Sequence, residues 1–263
     1  MTTLLLAHLT DCHIDGRPAR SLRLAAALER ARRWLDPRDP WLDRRDRIAA
    51  RHLLLTGDVT SHGDLAEYRE LGTVLSPWPF GATIVPGNHD GGRERFMEGM
   101  RAHFPRFGGW STPGRSFRIG SARILPIDTG YRRRSMLFRA LGEVGEEQLG
   151  VIGREVEAAR AAREHLVIAM HHGPQGQPGP LGVFKDLSDR KRLSALLEGH
   201  AHVSVCCGHD HQVKDEGSVF VAASVATFEG DPLRVYEVSR WGILRSLHRD
   251  VRTGSPYAFA RRT

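Results

Sequence analysis

A chain of 263 residues with 40% hydrophobic and 26% charged side chains has the composition of a folded globular protein, which excludes wholesale disorder, and its length suits one domain over 1–263. The net charge of +7 is almost all arginine: lysine stands only at Lys185, Lys191 and Lys214, and the arginines run from Arg17 to Arg262 with no long basic block. A positive field attracts anions such as phosphate esters, but one this dispersed leaves nucleic acid an unfavoured partner.

Cys12, Cys206 and Cys207 are odd in number and two are adjacent, unlike the spaced pairs of a disulfide framework, which points to the reducing cytoplasm. The first ten residues lack a basic n-region and carry too short an apolar stretch for a signal peptide. No later run approaches the roughly 18 apolar residues of a membrane span. The expectation is a cytoplasmic protein with no membrane partner, its oligomeric state open.

In chain order, Leu4 to Leu9 reads as a buried strand ending at Thr10-Asp11. Ser21 to Leu35 carries helical spacing, with Ser21 as the expected N-cap and Asp36-Pro37 as the stop. His52 to Thr56 is a second strand running into Gly57-Asp58, followed by a helix from Leu65 to Leu75. Ala82 to Val85 is a third, running into Pro86-Gly87-Asn88-His89-Asp90, with a helix from Arg93 to His103. Strand, polar tip and helix thus recur as βαβ units, which predict parallel pairing.

Ser116–Ile119 and Arg123–Ile127 read as a hairpin around Gly120-Ser121. Glu146 to Arg163 is a helix whose Leu149, Ile152, Val156 and Ala159 or Arg160 share a face. It feeds a strand from Leu166 to Met170 that ends in His171-His172. The glycines and prolines of Gly173 to Gly182 predict a surface loop beside the site, and Ser188 to Leu197 a helix. The runs Val203–Cys206, Val219–Ala223, Val235–Val238 and Ile243–Leu247 predict consecutive antiparallel strands.

Five polar clusters fall at strand ends: Asp11-Cys12-His13, Gly57-Asp58, Gly87-Asn88-His89-Asp90, His171-His172 and Gly208-His209-Asp210-His211. C-terminal ends of parallel strands gather on one rim, so residues scattered through the sequence can meet there. Asp, His and Asn together suit manganese, iron or zinc better than the all-oxygen shell of calcium. Seven ligands exceed one tetrahedral ion but suit two metal ions sharing a carboxylate.

Each cluster alone has a structural reading. Gly57-Asp58 could be a turn with Asp58 capping a helix, Gly87-Asn88 an ordinary turn, Asp11 a cap, and the histidine pair a set of satisfied core rings. Gly208-His209-Asp210-His211 resists it, since alternate residues of a strand point the same way. Cys12 is read as a small buried thiol, and Trp34, Trp41, Trp78, Trp110 and Trp241 as packing residues. Arg132-Arg133-Arg134 reads as a solvated loop, with contact to a substrate phosphate the less common outcome.

The order D-x-H, GD, GNHD, H and GHxH resembles that of the calcineurin-like metallophosphoesterases, over about three quarters of the chain. The resemblance implies an α/β fold of two mixed sheets packed face to face with helices outside. It implies that Asp11, His13, Asp58 and His211 hold one metal, that Asp58, Asn88, His171 and His209 hold the other, and that Asp58 bridges. His171 is preferred to His172 as the first histidine of an H-x-(x)-P segment, His171-His172-Gly173-Pro174. The resemblance places His89 at the leaving-group or phosphoryl oxygen, as acid or charge stabiliser, with Asp90 behind it to fix its tautomer. The implied activity is phosphoester hydrolysis through water activated by the metal pair and attacking phosphorus in line. The pattern is closest to the small class III branch acting on cyclic nucleotides and glycerophosphodiesters, so a small phosphodiester is the expected substrate. A phosphomonoesterase is the alternative, with a nuclease or a non-catalytic metal-binding scaffold behind it.

Overall fold

The computed structural model describes residues 3–36, 38, 49–130, 140–176, 186–249 and 256–258. Trp41, Arg132–Arg134 and most of the glycine- and proline-rich loop lie outside the described residues.

The first sheet opens with β1 (Leu4–Leu9), β2 (Ala50–Thr56) and β3 (Gly81–Val85), all parallel. The βα connections between them hold α1 (Pro18–Trp34) and α2 (Leu65–Leu75), and α3 (Gly92–His103) follows β3. The hairpin predicted around Gly120 forms as β4 (Phe117–Ile119) and β5 (Ala122–Pro126). Next come α4 (Gly145–Ala162), β6 (His165–Ala169), α5 (Arg190–Leu197) and β7 (Val203–Cys207), with β5, β6 and β7 parallel.

After β7 the expected run of antiparallel strands is only partly met. A strand the sequence reading missed, β8 (Lys214–Glu216), forms a hairpin with β9 (Val219–Val221), and β9 adds parallel to β7. The chain then leaves this sheet. β10 (Arg234–Ser239) pairs antiparallel with β1, and β11 (Gly242–Arg249) and β12 (Pro256–Ala258) extend that edge. A short apolar run specifies a buried strand but not its neighbour, so β9 and β10 could not be assigned to different sheets from sequence.

The two six-stranded sheets, β12-β11-β10-β1-β2-β3 and β4-β5-β6-β7-β9-β8, pack face to face. Strand alternation divides the core into layers. Leu5, Ala7, Leu9, Leu53, Leu55, Ala82 and Ile84 face α1, α2 and α3. Leu4, Leu6, Leu54 and Val85 meet Ile124, Val167, Ala169 and Cys206 between the sheets. Leu125, Leu166, Ile168, Val203 and Val205 face α4 and α5. The fold is therefore an α/β sandwich with helices outside both sheets.

Helix α1 begins one turn before the predicted start. Pro18, with φ fixed near the helical value and no N–H to lose, occupies the first turn, and Arg17 is the cap residue. Ser21 is not the cap; its hydroxyl donates to Glu70 of α2. Asp58 caps no helix either, because α2 starts at Leu65 behind Asp64, and Glu67 folds back to accept the His62 and Gly63 N–H groups at 2.9 and 3.1 Å. The packing role expected of every tryptophan holds for the buried Trp34 and Trp78 but not for Trp241, which is 71% exposed at the turn into β11. Among the described residues, no helix is long and apolar enough to cross a membrane.

Candidate metal centre

Five loops leave the C-terminal ends of β1, β2, β3, β6 and β7 on one rim of the sandwich, and each delivers the residues singled out in the sequence. Asp11, Asp58 and His171 are buried, Asn88, His13, His209 and His211 half-buried, and His89 exposed. The structure brings all seven candidate ligands together.

They form two groups. In the deeper one, His171 Nε2 lies 3.3 Å from Asp58 Oδ2, 3.2 Å from Asn88 Oδ1 and 3.2 Å from His209 Nδ1. In the outer one, Asp11 Oδ1 lies 3.0 Å from His211 Nε2 and 3.8 Å from His13 Nε2, which is 3.9 Å from Asp58 Oδ2. Asp58 belongs to both. His172 packs beside the deeper group, its ring 4.3 Å from that of His209 and a ring nitrogen within 4.8 Å of those of His171 and His209, while its Nδ1 meets Thr129 Oγ1 at 2.9 Å and its N–H donates to the same oxygen at 3.1 Å.

The backbone is strained where these residues sit. Asp11, His13, Asp58, His209 and His211 have φ between +48° and +70°, and among the described residues only Arg163 joins them as a non-glycine at positive φ. Each such residue costs on the order of 1 kcal/mol, a cost found mainly where function or a turn holds it. Inter-loop hydrogen bonds hold the strain here: Asp11 N–H to the Gly57 carbonyl at 3.0 Å, His13 N–H to the Asp58 carbonyl at 2.9 Å and His89 N–H to Asp58 Oδ1 at 2.8 Å. The motif glycines serve close approach. A Cβ on Gly87 would collide with the Asp58 carboxylate and N–H, and one on Gly208 with the Thr10 hydroxyl and Asp11 carboxylate.

Electrostatics show what the site demands. Burial would raise the Asp11 and Asp58 carboxyls, but His211 and His171 outweigh it at Asp11, and His171 at Asp58, holding both below the ordinary value. Burial likewise opposes charge on His171, yet Asp58 and Asp11 push it up to about 10. His209 is pushed down to about 4 by burial and by His171. Imidazole can balance these buried carboxylates only by taking up protons. A cation supplies the same charge without them.

The donor geometry fits that cation. His171 Nδ1 faces the Thr56 carbonyl at 2.9 Å, so the neutral ring carries its proton there and leaves Nε2 bare toward a carboxylate oxygen, an amide oxygen and a second imidazole nitrogen. Lone pairs converging this closely repel unless something positive lies among them. Ligands about 2.1 Å from a tetrahedral ion stand about 3.4 Å apart, close to the spacings of the deeper group.

Asp90 corrects the sequence reading. Its carboxylate does not reach the His89 ring; it accepts the N–H groups of Val59, Thr60 and Gly87 at 3.3, 2.8 and 2.8 Å and the Thr60 hydroxyl at 2.7 Å. It is a buckle between the loops that carry Asp58 and Asn88. Burial and the neighbouring Asp58 raise its pKa to about 6. The ring partner of His89 is the Ser61 carbonyl, 3.0 Å from Nδ1, which leaves Nε2 4.0 Å from Asp58 Oδ2. Sequence reasoning missed Ser61, Thr129 and Thr227, whose hydroxyl meets His211 Nδ1 at 3.2 Å. Isolated hydroxyls carry no motif, and a backbone carbonyl carries no residue type at all. Cys12 is a fully buried thiol, as expected.

Beside the outer group opens a cavity of about 320 Å³ with His13, His89, His211, Arg17, His62 and Thr227 on its walls. It gives a ligand a route to the outer group and to His89.

Fold and rim together define a two-sheet sandwich with oxygen and imidazole donors gathered around a shared aspartate. The sequence pattern of calcineurin-like phosphoesterases matches residues 4–213, and the chain belongs to that family. It is 28% identical over 227 residues to a cAMP/cGMP dual specificity phosphodiesterase of Mycobacterium tuberculosis, covering 85% of this chain and 66% of the relative, so it spans just under two thirds of that protein. It is 24% identical over 208 residues to a protein of Vesicomyosocius okutanii that carries a cyclic nucleotide phosphodiesterase name, covering 75% of this chain and 78% of the other. The fold matches a dimetal phosphatase from Danio rerio with a TM-score of 0.65 at 13% identity, over 94% of this chain and 95% of that one.

Proposed function

We propose that this chain is a metal-dependent phosphodiesterase of small phosphodiesters, with 1–263 working as one domain in the cytoplasm. The observation that carries the reading is the pair of donor groups sharing Asp58 beside an open cavity. Asp11, His13, Asp58 and His211 would hold one cation, and Asp58, Asn88, His171 and His209 the other. The mixed donor set suits manganese, iron or zinc. When bound, such a pair supplies charge neutralisation and activation of water for in-line attack on phosphorus.

The chain's own residues do the rest. Asp58 reaches both groups and fixes their separation. His89, held through Nδ1 by the Ser61 carbonyl, presents Nε2 to the cavity side, where it would give a proton to the departing alkoxide or stabilise charge on a phosphoryl oxygen. Asp90 keeps the Asp58 and Asn88 loops in register. The preference for a diester is supported by the naming of the mycobacterial relative, and the cavity would receive the second ester substituent.

The test compares bis(4-nitrophenyl) phosphate with 4-nitrophenyl phosphate as substrates of the manganese-loaded protein. A kcat/KM higher for the diester is expected. A higher value for the monoester would make the chain a phosphomonoesterase, and no hydrolysis of either would leave it a binding scaffold.

A further inference from the structure

Besides His172, three buried histidines stand outside the candidate ligand set: His8 on β1, His52 on β2 and His165 on β6. Each ring meets a hydroxyl on the neighbouring parallel strand, His8 Nε2 at 2.8 Å from Thr56 Oγ1, His52 Nε2 at 2.8 Å from Thr83 Oγ1 and His165 Nε2 at 2.9 Å from Ser204 Oγ. The first two are geometric twins. His8 is opposite Leu54 and His52 opposite Gly81, so each reaches two residues past its register partner on the same face.

The twins differ in what lies beyond the hydroxyl. Thr83 is followed by Ile84 and Val85 within β3. Thr56 is the last residue of β2, and its carbonyl is met by His171 Nδ1 at 2.9 Å and by the Thr10 hydroxyl at 2.9 Å. Gly57 then turns at φ +88° with the His171 ring packed against it. On its other side His8 Nδ1 meets the Tyr236 hydroxyl of β10 at 3.2 Å. A buried chain of contacts therefore runs from Tyr236 through His8 and Thr56 to His171.

We infer that His8, acting through the Thr56 hydroxyl, is a positioning residue for the deeper cation group, a claim that rests on the metal-dependent reading above. The orientation of a ligating imidazole is set by the acceptor of its other N–H, and loss of such outer contacts typically weakens metal binding by about 10- to 100-fold. Here that acceptor is the carbonyl of a peptide at the point where the chain leaves the strand. The glycine that follows imposes little restraint on its tilt. The β-branched Thr56 side chain, restricted about χ1 and clasped by His8, adds restraint from the strand side to that of the Thr10 hydroxyl on the same carbonyl. His52 makes the same clasp with no link to a candidate ligand, so it separates a role in the site from a role in the core.

Isosteric variants test this with Mn2+ alone as the probe. Two-site calorimetric titration and metal content after dialysis would be measured for the wild type, Thr56→Val, Thr83→Val, His8→Leu, His8→Gln and His52→Leu, beside thermal melting. Thr56→Val and His8→Leu are expected to weaken one of the two Mn2+ ions by roughly tenfold or more. Thr83→Val and His52→Leu should bind both ions as the wild type does, whatever they lose in melting temperature. His8→Gln, whose amide can still meet the Thr56 hydroxyl, should recover part of the affinity. Thr56→Val binding both ions like the wild type, or weakened no more than Thr83→Val, overturns the inference. If His8→Leu does not fold, the two valine variants decide it. A wild type that binds no pair of Mn2+ ions overturns the metal reading and this inference together, an outcome distinct from tight binding that ignores Thr56.

Discussion

The Asp58 carboxylate and the His89 ring stand 4.0 Å apart, Oδ2 to Nε2, yet the geometry asks different things of them. Asp58 is buried and touches members of both donor groups, so losing its charge should empty the site. The His89 ring is exposed, is held through Nδ1 by the Ser61 carbonyl and lies beside the donors without joining either group. Asp58→Asn or Asn88→Ala should therefore abolish turnover with loss of metal, whereas His89→Ala should keep the metal content and lower kcat by roughly 10²- to 10⁴-fold. Elemental analysis of the purified variants beside their rates checks this; an emptied site in His89→Ala, or two ions and full rate in Asp58→Asn, would reverse the roles. At this scale the ligand candidates were legible in the sequence because Asp, His and Asn beside glycine at strand ends are rare in combination. The job of Asp90 was not: the family resemblance implied a pairing with the His89 ring, whereas the loop turns the carboxylate to the Val59, Thr60 and Gly87 amides.

At the scale of elements, the loops matter more than the strands they follow. The loops after β1, β2 and β7 bend within two residues into the left-handed region, and neighbouring loops hold that bend by backbone hydrogen bonds. Gly87 shows how little room is left. A methyl group there must displace the Asp58 carboxylate or its N–H, so Gly87→Ala should weaken metal binding by about tenfold or more while β2 and β3 stay paired. Circular dichroism with Mn2+ titration checks it: an unchanged spectrum with weakened binding is expected, and unchanged binding would show that the loop has slack. The parallel strands and their helices were readable from strand, polar tip and helix in succession. Among the late strands β8 was not, since Lys214–Glu216 is polar throughout; β9 and β10 were readable as strands but not in their pairing, since neither Val219–Val221 nor Arg234–Ser239 encodes which sheet it joins. The first turn of α1 was misplaced because Ser21 looked like a cap while Pro18 had already begun the helix.

For the molecule as a whole, the sandwich exists to bring two rims together. β1, β2 and β3 deliver Asp11, His13, Asp58 and Asn88 from one sheet, and β6 and β7 deliver His171, His209 and His211 from the other. Neither sheet alone supplies a complete group around Asp58. The bonds from His171 to the Thr56 carbonyl and from the His209 N–H to Asp11 Oδ2, at 2.9 and 3.1 Å, stitch the rims across the layer between them. The most direct measurement is a crystal structure of the manganese-loaded protein with phosphate bound, read by anomalous scattering at the metal edge. Two ions about 3.5 to 4 Å apart with Asp58 touching both is the predicted result; a single ion, or ions held elsewhere with Asp58 turned away, would contradict it.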